Sequence, residues 1–277
     1  MTRDIRVLTA SEVEMLVDWA AGEGWNPGIS DAAAFHAADP DGFLGAFVGG
    51  EMVAGISAVA YGDAFGFIGL YICRQDFRGQ GHGKAVWDAA MVRFDDRAIG
   101  LDGVDQQVAN YARMGFAPAY RTIRHSGRLP GASVHPTIQP VGPDLVAEVE
   151  ALDRRFFPAP RHSFLDQWLK EPNVALAAMR DGAVVGYAVA RQCRQGWKIG
   201  PVFATGEADA RNLLSGLAAA IGDAEIHLDV PEPAQEFSAF LVQAGFVPGF
   251  VTTRMYTQPG GATDILQPQA TTSLELG

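Results

Sequence analysis

The chain has 277 residues, enough for about two average domains, and its composition of 48% hydrophobic and 19% charged residues excludes a disordered chain. Its 21 basic and 32 acidic residues leave a net charge of −11, which disfavours a protein that binds nucleic acid through a basic face. No apolar run is long enough to span a membrane and no signal peptide is recognisable, so we expect a cytoplasmic protein without membrane or nucleic acid partners. The two cysteines fit a reducing compartment, and the lack of Cys-x-x-Cys and His-Glu-x-x-His patterns predicts no metal site.

The first half of the chain predicts the element order βααβββαβαβ. A capping box at Ser11 and Glu14 marks the first helix, and Gly49-Gly50 marks a two-residue hairpin turn. Hydrophobic periodicity places the successive elements at residues 5–8, 11–21, 31–38, 43–48, 52–61, 65–73, 79–95 (a loop that enters a helix), 98–102, 106–114 and 119–126.

The second half repeats this order. Gly115-Phe116 and Arg124 recur as Gly245-Phe246 and Arg254, each shifted by 130 residues. The repeated elements are predicted at residues 138–141, 144–155, 163–170, 174–180, 183–192, 197–203, 207–221, 225–230, 234–244 and 246–256. The sequence therefore predicts two domains, 1–130 and 136–258, with a linker at about 127–135 and a mobile tail over 259–277.

The segment Arg78–Lys84 has the composition of a phosphate-binding loop. Gly79, Gly81 and Gly83 allow positive φ angles and a close approach of the backbone to a ligand. The loop enters a helix, whose first amides favour an anion, and Arg78 and Lys84 add positive charge. A flexible glycine-rich connector is the alternative structural interpretation of the same spacing.

Two other phosphate loops are poorer matches. A Walker A loop needs a glycine where Arg78 stands and Ser or Thr where Ala85 stands. A Rossmann fingerprint needs its first glycine directly after the strand, whereas the strand here ends near Cys73. Asp102 lies about twenty residues beyond the loop, so a dinucleotide-binding oxidoreductase stays open as a weaker alternative.

The run from Tyr71 to Gly83, with its Arg-x-x-Gly-x-Gly core, resembles the acyl-CoA motif of the GNAT superfamily of N-acyltransferases. Tyr111–Phe116 resembles that family's Tyr-x-x-x-Gly-Phe motif, and the element order agrees with its fold. The resemblance implies an α/β (α+β) class with two tandem GNAT folds, each a mixed, mostly antiparallel sheet flanked by helices. The family usually has seven strands where we count six in each half, so one half is expected to supply an edge strand to the other.

The resemblance also implies site residues. Acetyl-CoA is the expected co-substrate, with no metal, and Tyr111 would protonate the leaving thiolate because a tyrosine remains a proton donor at neutral pH. Trp25 and Asn26 lie in the loop that would wall the acceptor site. The residues that would bind the coenzyme are Tyr71, Ile72, Cys73, Arg78, Gly79, Gln80, Gly81, His82, Gly83 and Lys84.

The general base is the least defined element of this expectation. Family members often place a glutamate on the central strand, but residues 65–73 contain no carboxylate. Either water relays the proton or a loop group reaches the site. The candidates are Glu23, His36, Asp63, Asp76 and His82, each of which also has an ordinary structural explanation.

The second half has lost the loop motif. Glu207 and Asp209 put negative charge where a diphosphate would lie, and Leu241 replaces the tyrosine. We expect this half to shape the acceptor pocket, shield the sheet or bind an effector. The basic cluster Arg121, Arg124, His125 and Arg128 is expected on a solvated strand face and the linker, and a site for an acidic acceptor or for the 3′-phosphate of the coenzyme is the alternative.

The expected function is acetyl transfer to an amine of a small molecule or peptide, by direct transfer in a ternary complex, in a monomer or homodimer. A non-catalytic acyl-CoA sensor is the alternative that the missing strand carboxylate favours.

Overall fold

The computed structural model describes residues 3–258 and 266–277. Its strands are β1 (Arg3–Val7), β2 (Phe43–Val48), β3 (Glu51–Tyr61), β4 (Phe65–Cys73), β5 (Ala98–Val104), β6 (Ala117–Gly127), β7 (Ile138–Pro140), β8 (Val174–Arg180), β9 (Ala183–Gln192), β10 (Trp197–Ala204), β11 (Ile226–Pro231) and β12 (Val247–Tyr256). Its helices are α1 (Ala10–Gly22), α2 (Asp31–Ala38), α3 (His82–Met91), α4 (Asp105–Arg113), α5 (Val146–Asp153), α6 (His162–Trp168), α7 (Glu207–Ile221) and α8 (Gln235–Gln243). The predicted fold class and element order are confirmed. The capping box lies two residues earlier than expected, at Thr9 and Glu12.

All twelve strands join one sheet, in the order β1-β2-β3-β4-β5-β12-β6-β11-β10-β9-β8-β7. The last strand of each half pairs with the other half, because β12 pairs with β5 and β6 pairs with β11. β6 and β12 also pair with each other at the centre of the sheet. The expectation that one half supplies a strand to the other is confirmed, and the exchange is mutual. The two predicted domains are therefore continuous through their sheets.

Two buried ion pairs follow from this exchange. Arg124 of β6 donates two hydrogen bonds to Asp229 of β11, at 2.7 and 3.0 Å. Arg254 of β12 does the same to Asp102 of β5, at 2.9 and 2.8 Å. These pairs explain why both residue types recur in the repeat. The expectation of a solvated basic face is wrong for Arg124 and for His125, because the strand exchange buries both.

The two halves also share a hydrophobic core on one face of the sheet. It combines residues of α1, α2 and β2–β4 with residues of α5, α6 and β8–β10. Phe35 of α2 stacks on Trp168 of α6, with ring centroids 6.1 Å apart. On the opposite face, α3 covers the first half and α7 and α8 cover the second. The strand exchange and this shared core join the repeats into one packed unit.

The expectation of a mobile tail is wrong for residues 269–277, while residues 259–265 lie outside the described residues. Ala270–Ser273 and Glu275–Gly277 are buried. Arg161 donates to the Thr272 hydroxyl at 2.9 Å, and Tyr61 donates to the carbonyl of Leu276 at 3.0 Å. This C-terminal segment is therefore part of the core, fixed by hydrogen bonds to both halves.

Candidate active site

The parallel strands β4 and β5 separate before they end. Their ladder stops at the pair Ile68 and Leu101, while β4 continues to Cys73 and β5 to Val104. Leu70 has a φ of +45°, and the register with β3 shifts beside it, so β4 carries a bulge at this point. The separated strands open a gap with exposed backbone groups.

A cavity of about 550 Å³ lies at this gap. Five of the residues that we proposed for the coenzyme or for catalysis line it, namely Tyr71, Ile72, Cys73, Arg78 and Tyr111. Trp25 of the predicted acceptor loop also lines it. The remaining lining residues are Glu23, Ile68, Gly69, Leu70, Leu101, Asp102, Val104, Gln106, Gln107, Phe250, Thr252, Leu274 and Glu275.

The glycine-rich loop has backbone amides that are not used in backbone hydrogen bonds. Gly79 and Gly81 have φ angles of +76° and +80°, which only glycine adopts readily. Over the described part of the chain, none of the amides of residues 79–84 donates to a backbone carbonyl. The last of these amides open α3, whose dipole favours an anion at the same place.

Charged side chains surround this loop. Arg78 pairs with Glu23 at 2.6 Å and also donates to the Cys73 carbonyl at 2.9 Å. Lys84 is exposed and pairs with Asp88 at 2.6 Å. Arg78 therefore begins the loop and also lines the cavity, together with its partner Glu23.

His82 has a structural environment that the sequence did not indicate. Its Nδ1 accepts a hydrogen bond from Arg3 Nε at 3.0 Å, and its ring packs on Phe77. Burial and the Arg3 charge lower the pKa of His82, so the ring is neutral at pH 7. Gln80 is fixed through its side chain, which donates to the Asp76 carbonyl at 3.0 Å.

Tyr111 lies on α4 and faces the cavity from an aromatic cluster. Its ring stacks on Trp87 at 5.6 Å between centroids, and Gly103 leaves room for it, since a Cβ there would lie 2.9 Å from the ring. Burial raises the pKa of Tyr111 well above its usual value. Tyr71 also packs on Trp87, with ring centroids 5.3 Å apart, and burial raises its pKa to about 12. Both hydroxyls are therefore protonated at neutral pH.

Cys73 stands beside this loop as a half-buried free thiol. Burial raises its pKa, although the amide of Gly83 and the charge of Arg78 oppose the shift. The thiol is thus protonated at pH 7, which does not favour a nucleophile.

Of the five candidate bases, only Glu23 lines the cavity. Asp76 pairs with Arg74 at 2.9 Å, and Asp63 is an exposed loop residue near Arg97. A carboxylate that the sequence analysis missed, Glu275, lines the cavity from the C-terminal segment. No signal in the sequence identified it, because the tail has no hydrophobic periodicity.

The predicted acceptor loop contacts the second half. Asn26 exchanges two hydrogen bonds with the backbone of Gln195, at 2.9 and 3.2 Å, and is not among the lining residues. The Trp25 carbonyl accepts from Arg124 at 3.0 Å and from Lys198 at 3.2 Å. Phe250 of β12 completes this wall, so the second half contributes to the pocket.

The equivalent gap of the second half is filled by the protein itself. The β10–β11 ladder ends at Ile199 and Leu228, the repeat equivalents of Ile68 and Leu101. Ala270 then pairs with Val202, and Thr271 donates to the Asp229 carbonyl at 2.9 Å.

The same filling continues toward α7. The Gln269 side chain exchanges two hydrogen bonds with the Ala204 backbone, at 3.1 and 3.2 Å. Asp209 lies in the first turn of α7 and pairs with Arg180. In the second half, residues 269–271 therefore occupy the gap between the strands, and the Asp209 carboxylate occupies the start of α7.

Two family models match the chain. The acetyltransferase (GNAT) family matches residues 10–116, and an acetyltransferase (GNAT) domain matches residues 149–265. The chain belongs to the GNAT acyltransferase family. It is a tandem member in which only the first repeat keeps the acyl-CoA loop motif.

Two curated relatives of this GNAT protein match most of its length. It is 29% identical to holothin acyltransferase of Pseudoalteromonas sp., over 96% of this chain and 92% of the relative. It is 23% identical to an uncharacterised N-acetyltransferase of Bacillus subtilis, over 72% of each chain.

Solved structures share the tandem fold. A protein of Pyrococcus horikoshii assigned as an acetyltransferase superposes with a TM-score of 0.82 at 20% identity, covering 99% of this chain and 96% of that one. A tandem GNAT protein from the clavulanic acid biosynthesis pathway has a TM-score of 0.66 at 17% identity, covering 93% and 99%. At these identities the likeness concerns the fold alone.

No described helix of this GNAT protein combines the length and apolar character needed to cross a membrane. Within residues 3–258 and 266–277, no three His, Cys, Asp or Glu side chains are grouped as metal ligands.

Proposed function

We propose that this protein transfers an acetyl group from acetyl-CoA to an amine, by direct transfer in a ternary complex formed in the first repeat. One observation carries the proposal. The gap between β4 and β5 opens on a cavity of about 550 Å³, whereas the equivalent gap of the second repeat is occupied by residues 269–271.

The filled gap serves as an internal template for the open one. By the repeat, Val202, Ala204 and Asp229 correspond to Tyr71, Cys73 and Asp102. Residues 269–271, an extended segment, hydrogen-bond to Val202, Ala204 and Asp229. The pantetheine arm of coenzyme A is also an extended chain with amide groups. We infer that it pairs with the backbone of residues 71–73 as an added strand.

The diphosphate belongs at the glycine-rich loop. The amides of residues 79–84 supply donors, Arg78 and Lys84 supply charge, and α3 contributes its dipole. When it is bound, acetyl-CoA supplies an activated thioester, and the backbone amides of β4 are the groups near its carbonyl that could polarise it.

Tyr111 is the proposed proton donor to the departing thiolate. It lines the cavity, and its raised pKa keeps the hydroxyl protonated at neutral pH. The aromatic cluster around Trp87 holds its ring in one orientation. General acid catalysis requires such a positioned donor.

The acceptor is proposed to be an amine of a small molecule. The enclosing wall of Trp25 and Phe250 suits a compact, partly apolar ligand better than an extended peptide. The name of the relative from Pseudoalteromonas makes holothin the first acceptor to test. We propose a cytoplasmic protein whose site is complete within one chain, as a monomer or homodimer.

A non-catalytic acyl-CoA sensor is the second candidate. Two observations favour it: the Glu23 carboxylate is already paired with Arg78, and strand β4 contains no carboxylate. A sensor would bind acetyl-CoA without turnover.

Calorimetric titration with acetyl-CoA, coenzyme A and NAD separates the candidates when it is followed by thiol release over a panel of primary amines and holothin. The proposed function predicts binding of both coenzyme A forms, no binding of NAD, and acceptor-dependent thiol release. Binding without release on any acceptor would favour the sensor, and binding of NAD alone would contradict both.

A further inference from the structure

The C-terminal segment crosses strand β4 in direct contact. A Cβ on Gly69 would lie only 2.0 Å from the carbonyl oxygen of Glu275, so the crossing requires a glycine there. Ser57 Oγ of the neighbouring strand lies 3.3 Å from the same oxygen. The segment is thus fixed against β4 just before the bulge at Leu70.

Glu275 is one of the residues that line the cavity. The residue is only 3% exposed, and its Oε2 is buried without a hydrogen-bond partner. Across residues 3–258 and 266–277, neither carboxylate oxygen forms an ion pair. A buried carboxylate oxygen without a donor is destabilising, so a ligand in the cavity that supplies a donor would relieve this cost.

Three basic side chains around Glu275 contact only two other carboxylates. The charge of Glu275 acts on three basic side chains, Arg124 of β6, Arg191 of β9 and Lys198 of β10, and raises the pKa of each relative to burial alone. Arg124 and Lys198 face Asp229 of β11, and Arg191 pairs with Asp31 of α2.

These three cations and three carboxylates balance when Glu275 is ionised. Glu275 differs from the other two carboxylates because, among the described residues, its Oε2 has no hydrogen-bond partner and it forms no ion pair, so a positive group entering from the cavity could bind it directly. Tyr61 of β3 fixes the next residue by donating to the Leu276 carbonyl at 3.0 Å.

We propose that Glu275 binds the protonated amine of the acceptor and takes its proton, so that the C-terminal segment supplies the base that β4 lacks. This inference rests on the proposed acetyl transfer. It assigns a catalytic residue from outside both sequence motifs, and it selects acceptors that carry a cationic amine over neutral alcohols.

The proton balance of the step is complete. The acceptor ammonium gives one proton to the Glu275 carboxylate, and the freed nitrogen lone pair forms a bond to the thioester carbonyl carbon. The carbon–sulfur bond breaks, its electron pair leaves on sulfur, and Tyr111 protonates the sulfur. The second nitrogen proton restores Tyr111, and Glu275 releases its proton to solvent, giving the amide, the free thiol and one proton.

The test compares Glu275→Gln with Glu14→Gln, a change at an exposed glutamate of α1. Both variants and the unaltered protein are titrated calorimetrically with acetyl-CoA and assayed for thiol release with holothin and primary amines from pH 5 to 9. Thermal melting checks the fold, and Glu275→Asp tests partial rescue by a shorter carboxylate.

We expect Glu275→Gln to bind acetyl-CoA within about twofold of the unaltered protein and to lose about 10²-fold in kcat/KM. The acid limb of the pH profile should disappear in this variant, which a purely structural role would not cause. Glu275→Asp should keep part of the rate that Glu275→Gln loses. The control variant Glu14→Gln should react at the rate of the unaltered protein.

Equal rates and pH profiles for Glu275→Gln and the unaltered protein would overturn the assignment and leave the proposed function intact. Failure of the unaltered protein to bind acetyl-CoA would instead overturn the proposed function, and this inference with it. If Glu275→Gln melts far below the unaltered protein, the pH profile of Glu275→Asp is the deciding measurement. A rate and an acid limb identical to those of the unaltered protein would also overturn the assignment.

Discussion

The contact between Gly69 and the C-terminal segment is a sensitive point of the structure. In Gly69→Ala, the new Cβ would lie 2.0 Å from the Glu275 carbonyl oxygen, whereas an ordinary contact begins at 3.4 Å. The segment must therefore retreat by about 1.4 Å or β4 must bend. Either movement weakens the Ser57 and Tyr61 hydrogen bonds to the segment.

The expected cost combines two effects. Overpacking of a buried site typically costs about 1–3 kcal/mol, and a weakened hydrogen bond about 1 kcal/mol. A loss of about 2–4 kcal/mol in the free energy of unfolding should lower the melting temperature by roughly 5–10 °C. Thiol release should also fall, because the displaced segment carries Glu275 in the cavity wall.

Two matched variants separate stability from activity. Gly200→Ala makes the equivalent clash in the second repeat, with the Thr271 carbonyl at 2.4 Å, so we expect similar destabilisation but a smaller loss of thiol release. Gly22→Ala adds a Cβ at the end of α1 with nothing within 4 Å, and should melt at or slightly above the unaltered protein. Differential scanning calorimetry and the thiol assay measure both effects. A Gly69→Ala protein that melts and turns over like the unaltered protein would refute this reasoning.

Three further predictions concern the proposed chemistry and the exchanged ion pairs. Tyr111→Phe should slow thiol release by about 10²-fold with acetyl-CoA affinity unchanged, and equal rates would remove Tyr111 from the mechanism. Gly81→Asp should abolish the calorimetric binding of acetyl-CoA. Gly81→Asn should retain part of this binding, because asparagine tolerates the same positive φ angle and carries no charge. Equal binding by both variants would argue against a diphosphate at this loop. Burial alone would raise the pKa of Asp229, but the charges of Arg124 and Lys198 outweigh burial and hold that pKa at about 2. The ionised Asp229 therefore stabilises the fold by about 2 kcal/mol above pH 4, and this stabilisation is lost as the pH falls toward 2. Asp229→Asn should cost about 3–5 kcal/mol at pH 7 and flatten the fall in stability between pH 4 and 2, as measured by urea unfolding at each pH; an unchanged slope would contradict the assignment.

The local elements were predictable because their signals are local. Hydrophobic periodicity and turn residues placed most elements within a few residues, and α2 over 31–38 has the predicted bounds. The glycine loop was also recognisable, because three alternating glycines beside Arg78 and Lys84 form a compact motif.

The strand exchange was only partly predictable. The count of six strands in each half indicated a shared strand, but β6 and β12 each look like the last strand of their own repeat. Which partner such a strand takes depends on contacts over a hundred residues away. Arg124 and Arg254 were recognised as equivalent, yet their partners Asp229 and Asp102 follow only from the exchanged pairing.

The C-terminal segment was misjudged for a physical reason. Residues 269–273, Gln-Ala-Thr-Thr-Ser, have no periodic apolar pattern and therefore look like a solvated tail. Residues 269–271 donate to backbone groups in the gap between β10 and β11, and this gap exists only after the sheet has formed. Glu275 was missed for the same reason.

A crystal structure of the protein with acetyl-CoA tests the central claim most directly. The account predicts one coenzyme per chain, with its pantetheine arm along Tyr71–Cys73, its diphosphate on the loop Arg78–Lys84 and the C-terminal segment still in the gap of the second repeat. A coenzyme bound between β10 and β11, with that segment displaced, would contradict the account.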